Sequence, residues 1–112
     1  MKKLIALTVL GCMMSPTHAE FKDGNQLYSQ MQKEFGSADW FNAIGYVTGV
    51  ADTLTGISVC APAGARITAQ QTYDVVKSYL EDFPQVRHHS ADRIVGRALD
   101  RIWPCPKKGQ PL

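Results

Sequence analysis

Apolar residues recur along the chain at spacings of three and four, with no sustained two-residue alternation. That pattern predicts four helices. The first spans about Asp23 to Phe35, with Leu27, Tyr28, Met31 and Phe35 on one side and Gln26, Gln30 and Lys33 opposite. Gly36 suits a left-handed stop, and Ser37 suits the next N-cap. The second helix runs from about Ala38 to Leu54 or Ile57. Phe41, Ile44, Val47, Val50 (or Ala51) and Leu54 form its stripe, and Trp40, Ala43 and Tyr46 widen it. A stripe that wide predicts a central helix buried on several sides.

Between Gly56 and Arg66, Cys60, Pro62 and Gly64 mark a loop. The third helix opens on Thr68, whose hydroxyl can cap while Gln71 reaches back, and it points Tyr73, Val76, Tyr79 (with Leu80) and Phe83 inward before Pro84 stops it. The fourth opens on Ser90 as N-cap and buries Ile94, Val95, Ala98, Leu99 and Ile102. Trp103-Pro104-Cys105-Pro106 ends it, and Lys107 to Leu112 should fray. The expected fold is an all-α bundle of about four helices, with Leu27, Phe41, Ile44, Val47, Leu54, Val76, Leu80, Ile94, Leu99 and Trp103 in its core.

The first nineteen residues break this pattern. Lys2 and Lys3 precede an apolar run from Leu4 to Met14, Ser15-Pro16 interrupts it, and Thr17-His18-Ala19 sets small residues at a cleavage site. This is the layout of a secretory signal peptide over 1–19, cut before Glu20, leaving a single domain over 20–112. The run is too short to span about 30 Å of hydrocarbon, so no membrane association is expected after cleavage. Val9-Leu10-Gly11-Cys12 also fits a bacterial lipobox, which would lipidate Cys12. A cut there leaves an apolar core of only Leu4 to Leu10, which favours the soluble periplasmic product.

Export changes the reading of the cysteines. With Cys12 removed, Cys60 and Cys105 remain as an even pair in an oxidising compartment, and a disulfide between them is expected. Two cysteines so far apart, with no Cys-x-x-Cys, are poor zinc or redox candidates. Export also changes the charge. The formal value is +2, but Lys2 and Lys3 leave with the signal, so basic and acidic residues balance afterwards. A neutral domain has no net pull on phosphate backbones or anionic lipid, which counts against nucleic-acid binding.

No catalytic constellation emerges. His88 and Asp92 stand four apart, but Ser90 should cap the helix between them, which puts both His88 and His89 in the preceding turn with no third metal ligand near. No serine has the glycines of a nucleophile elbow, and neither remaining cysteine is a free thiolate once paired. Catalytic, cofactor and metal residues are therefore all expected to be absent.

One run does stand out: Gly45-Tyr46-Val47-Thr48-Gly49-Val50-Ala51-Asp52. Two glycines inside a helix cost about 1 kcal/mol each against alanine, so propensity did not place them. They make a groove, filled either by a neighbouring helix of the same chain or by a second copy. Asp52, close to the apolar stripe, would need donors from elsewhere in the fold if partly buried.

These residues carry a resemblance. Asp23-Gly24-Asn25-x-Leu27, Gly45-Tyr46-x-x-Gly49-Val50-x-Asp52 and Val59-Cys60-x-Pro62 follow one another in order. Val75-Val76-x-x-Tyr79-Leu80, Pro84, Ala98-Leu99 and Trp103-Pro104-Cys105 continue the series. Together they resemble the Tai family of periplasmic immunity proteins against type VI secretion amidase effectors. The resemblance implies an all-helical, typically dimeric inhibitor that plugs the cleft of a peptidoglycan amidase, without cofactor or enzymatic activity. It also implies that Gly45, Tyr46, Gly49 and Asp52 serve fold and packing, while effector-contacting surfaces vary. Many members carry a second cysteine pair, where Ala43 and the neighbourhood of Gln30 stand here, so the resemblance fixes neither subtype nor effector. Ten aromatics in so short a domain could dress the interface of a homodimer. An exported acid-stress chaperone, also small, helical and often held by one disulfide, is the competing expectation.

Overall fold

The computed structural model describes residues 21–107. The segment read as a signal peptide (1–19), with Cys12, and the tail from residue 108 lie outside the described residues. Four helices follow in chain order: α1 (Gly24–Met31), α2 (Ala38–Leu54), α3 (Ala69–Asp82) and α4 (Ala91–Ile102), with a single 3₁₀ turn at Pro84–Val86 between the last two. Among the described residues the only β-type pairings are isolated bridges, so the expected all-α bundle is what forms.

Local chemistry starts three of the four helices. Asp23 accepts from the Gln26 N–H at 2.8 Å while Gln26 Oε1 accepts from the Asp23 N–H at 3.1 Å. Thr68 and Gln71 make the same reciprocal pair at 3.1 and 2.8 Å, and Ser37 Oγ accepts from the Trp40 N–H at 3.2 Å. Each cap satisfies backbone donors that the first helical turn leaves without partners. Ser90 sits at the N-cap of α4, but its side chain makes no capping bond. The Ala91 N–H instead donates to the Lys22 carbonyl at 2.9 Å, so a distant strand of chain satisfies that donor.

α1 is shorter than its pattern predicts. After Met31 come Gln32, Lys33 and Glu34, all exposed, so no buried side chain holds another turn in place. Gly36 takes a φ of 81° and redirects the chain into the Ser37 cap. Phe35 therefore misses the core, 82% exposed, with its ring 4.5 Å from that of Trp40.

α2 packs against α1, α3 and α4. Its inward face is centred on Trp40, Ala43 and Val47. The stripe drawn through Phe41 is thus off centre by part of a turn: Phe41 is 61% exposed and lies edge-on to Trp40. Ile44, Leu54 and Trp103, also expected in the core, are half-buried at its edge. Leu27, Val47, Val76, Leu80, Ile94 and Leu99 are buried as expected, joined by Met31, Val95 and Ala98. Ile102, assigned to the buried face of α4, is exposed.

Two seams close the bundle. At one, Cys60 and Cys105 are joined by a disulfide with a Cα–Cα distance of 4.7 Å. The Cys60 N–H donates to the Trp103 carbonyl at 2.9 Å beside it, and Val59 bridges Pro104. At the other, the Gly24 and Asn25 N–H groups donate to the His89 and Arg87 carbonyls at 2.9 and 2.8 Å. Gly24 is obligatory there, since a Cβ would fall on the Ile94 side chain and 2.7 Å from the Arg87 carbonyl oxygen.

Candidate functional site

The motif residues Gly45, Tyr46, Gly49 and Asp52 lie along α2, and the structure separates their roles. Tyr46 is half-buried, with the Lys22 ammonium 4.9 Å from its ring centroid. Lys22 also donates to Gln30 at 2.6 Å and to Asn42. Partial burial raises the Tyr46 pKa and the Asp92 carboxylate adds to the rise, with a backbone hydrogen bond at Asp92 pulling the other way. The same partial burial lowers the Lys22 pKa, against an opposing pull from Asp39. Tyr46 and Lys22 thus tie α2 to the segment that leads into α1.

The glycines behave differently. A Cβ built at Gly45 or Gly49 meets nothing within 4 Å, so the close approach of a neighbouring helix of this chain is not present among the described residues. Gly45, Gly49 and Asp52 fall on one exposed side of the helix, with Phe41 at its N-terminal end. Asp52 is exposed too, and the buried donors anticipated for it are not required.

Next to Asp52, between the end of α2, the following loop, the start of α3 and Trp103, lies a cavity of about 340 Å³. A second groove of about 330 Å³ runs between α3 and α4. There the Arg101 guanidinium sits 5.5 Å from the Tyr79 ring and 5.0 Å from the Phe83 ring, the rings being 4.8 Å apart. Sequence reasoning missed both hollows, because each is assembled from segments far apart in the chain. The exposed ends of α2 and α4 add Phe35, Phe41 and Ile102 as apolar surface.

The residues read for chemistry stay apart. Cys60 and Cys105 are consumed by their bond. His88 and His89 are exposed in the turn before α4, their rings edge to face at 4.3 Å. Among the described residues no three metal-ligating side chains gather, and no helix is long and apolar enough to cross a membrane. What the geometry offers is surface: apolar aromatic edges, an open helix side and shallow hollows, all suited to docking against another macromolecule.

A family model of Rap1a immunity proteins matches residues 23–105. This chain belongs to the Rap1a immunity protein family. The match begins at the Asp23 cap and ends at the Cys105 bridge, so it covers all four helices and both seams. Curated proteins give no match to the sequence. Membership of an immunity family makes the chain a binding protein rather than an enzyme. The Tai resemblance and this family agree on that point, and the Rap1a family is the one the match shows.

Proposed function

We propose that this Rap1a family member is a periplasmic immunity protein that binds and inhibits a peptidoglycan amidase delivered by a type VI secretion system. The observation that carries the reading is the family match across the whole described domain. The amidase target rests on the resemblance to the Tai family, and the compartment on the leader-like residues 1–19. A disulfide belongs to an oxidising compartment and agrees with export. The exposed aromatic edge of Phe35 and Phe41 beside Trp40 supports a C₂ homodimer as the acting form.

Expression of a genetically linked amidase in the periplasm, with and without this protein, tests the function. Protection from lysis together with an isolable complex is expected. Unchanged lysis and no complex between the purified pair would overturn it. Light scattering at tens of micromolar tests the assembly, and a monomer mass would remove the dimer. The same complex measured near neutrality and in acid separates this reading from a chaperone, which would bind many clients as carboxylates protonate.

A further inference from the structure

The polar residues that line the cavity beside Asp52 are three threonines and Asp52 itself. Thr48, Thr55 and Thr72 reach it, and each spends its single hydroxyl hydrogen on the carbonyl four residues earlier, at 2.7, 2.8 and 2.7 Å. A hydroxyl whose hydrogen is committed can offer only lone pairs. The exposed Asp52 carboxylate likewise only accepts. Val59, Ile67 and Trp103 complete the wall with apolar and aromatic surface, and no lysine, arginine or histidine lines it.

Elsewhere four aromatic rings carry cations of this chain. Arg87 stacks 3.9 Å from the Tyr28 ring centroid, Arg101 covers Tyr79 and Phe83, and Lys22 covers Tyr46. At Trp103 the carboxylate, the acceptors and the aromatic wall are present without the cation. The complement of such a hollow is a group rich in donors, positively charged, and carried on an apolar stem. Arginine fits best, because its planar fork presents five donors and stacks on aromatic faces, whereas lysine offers a strongly hydrated point charge.

We propose that this cavity receives an arginine side chain of the bound effector, its guanidinium on the Asp52 carboxylate and its stem along Ile67 and Trp103. This assignment rests on the immunity reading for the identity of the partner, but the pocket can be tested without one. The mature protein is titrated with N-acetyl-L-arginine amide, followed by amide and indole shifts, and compared with the neutral analogue N-acetyl-L-citrulline amide. Shifts confined to Thr48, Asp52, Thr55, Ile67 and Trp103 are expected, with binding about fivefold weaker for citrulline and for Asp52→Asn, as suits an exposed ion pair. Equal binding of the two probes, no effect of Asp52→Asn, or shifts centred on the groove between α3 and α4 would overturn it.

The second arm uses the purified amidase. There the pair is desolvated, and Asp52→Asn should weaken the complex about thirtyfold or more. A wild-type complex that Asp52→Asn leaves intact removes the pocket and keeps the immunity reading. No wild-type complex removes the immunity reading, and the arginine titration then decides the pocket alone.

Discussion

The two seams of this bundle hold comparable pieces of chain by different physics. Where residues 58–60 meet 103–105, Val59 is buried in the core and two backbone hydrogen bonds cross, but the rest of the contact is only partly covered. Cys60 and Cys105 are only half-buried, Ile57 and Ile102 are exposed, and a covalent bond keeps the segments together. Where residues 22–25 meet 87–91, no covalent bond crosses, but Gly24, Leu27, Ala91 and Ile94 are buried and three backbone hydrogen bonds join the two segments. A disulfide reinforces the seam where Val59 is buried but its neighbours are only partly covered. A glycine achieves the same closure where two backbones can be brought close enough to bond.

Removing each device in turn gives a graded test. The largest loss should follow reduction, or Cys60→Ser with Cys105→Ser. Freeing a loop of this size costs about 4 kcal/mol in the chain-entropy model, against a total of about 5–15 kcal/mol for a small domain. Urea denaturation with and without reductant measures it. An unchanged midpoint would mean that the stapled seam holds by packing after all. At the other seam, Gly24→Ala should cost about 1–3 kcal/mol from overpacking, although alanine favours helices. A gain in stability would show that the close approach to Arg87 and Ile94 is not obligatory.

Smaller effects separate caps and buried hydroxyls. Thr68→Ala should cost about 1 kcal/mol because it breaks a reciprocal cap, whereas Ser90→Ala should cost under about 0.5 kcal/mol because the neighbouring seam already satisfies that backbone. Equal losses would contradict this division. The smallest effect concerns Tyr73, whose hydroxyl donates to the Met31 carbonyl at 3.1 Å. Burial, then the nearby Asp74, raises its pKa above the ordinary 10.0, with a hydrogen bond from Trp40 opposing. A raised pKa means that the folded state holds the proton more tightly. Its contribution is therefore complete below pH 10.0 and lost as pH climbs through the folded value. Thermal melts in alkaline buffer should show this decline, and Tyr73→Phe should flatten it.

Helices, caps and the disulfide were legible in the sequence because they are local or countable. Thr68 with Gln71, Gly36 with Ser37, and the two cysteines left beyond the leader-like segment each leave little choice. The direction of α2 was harder to read. Periodicity shows that one side is apolar, but with Trp40, Phe41, Ala43, Ile44 and Val47 all apolar the stripe has no sharp centre, and tertiary packing chose the Trp40 side. Phe35 looked like core by spacing and is surface, because no neighbouring turn supports it. Gly45 and Gly49 announced a close approach, yet nothing in sequence says whether the approaching partner belongs to the same chain. The hollow at Asp52 could not be read at all, since Thr48, Ile67 and Trp103 meet only after folding.

The position of the disulfide along the chain also decides how the protein would respond to mechanical force. Cys60 and Cys105 are 45 residues apart, and α3 and α4 both lie wholly between them. Tension applied at the two ends passes through the sulfur bridge and bypasses those helices. Pulling can strip α1 and α2 away, but about 150 Å of potential extension stays locked inside the loop. An unfolding machine that threads the chain from one end would meet a closed ring at Cys60, and only a reductant could open it.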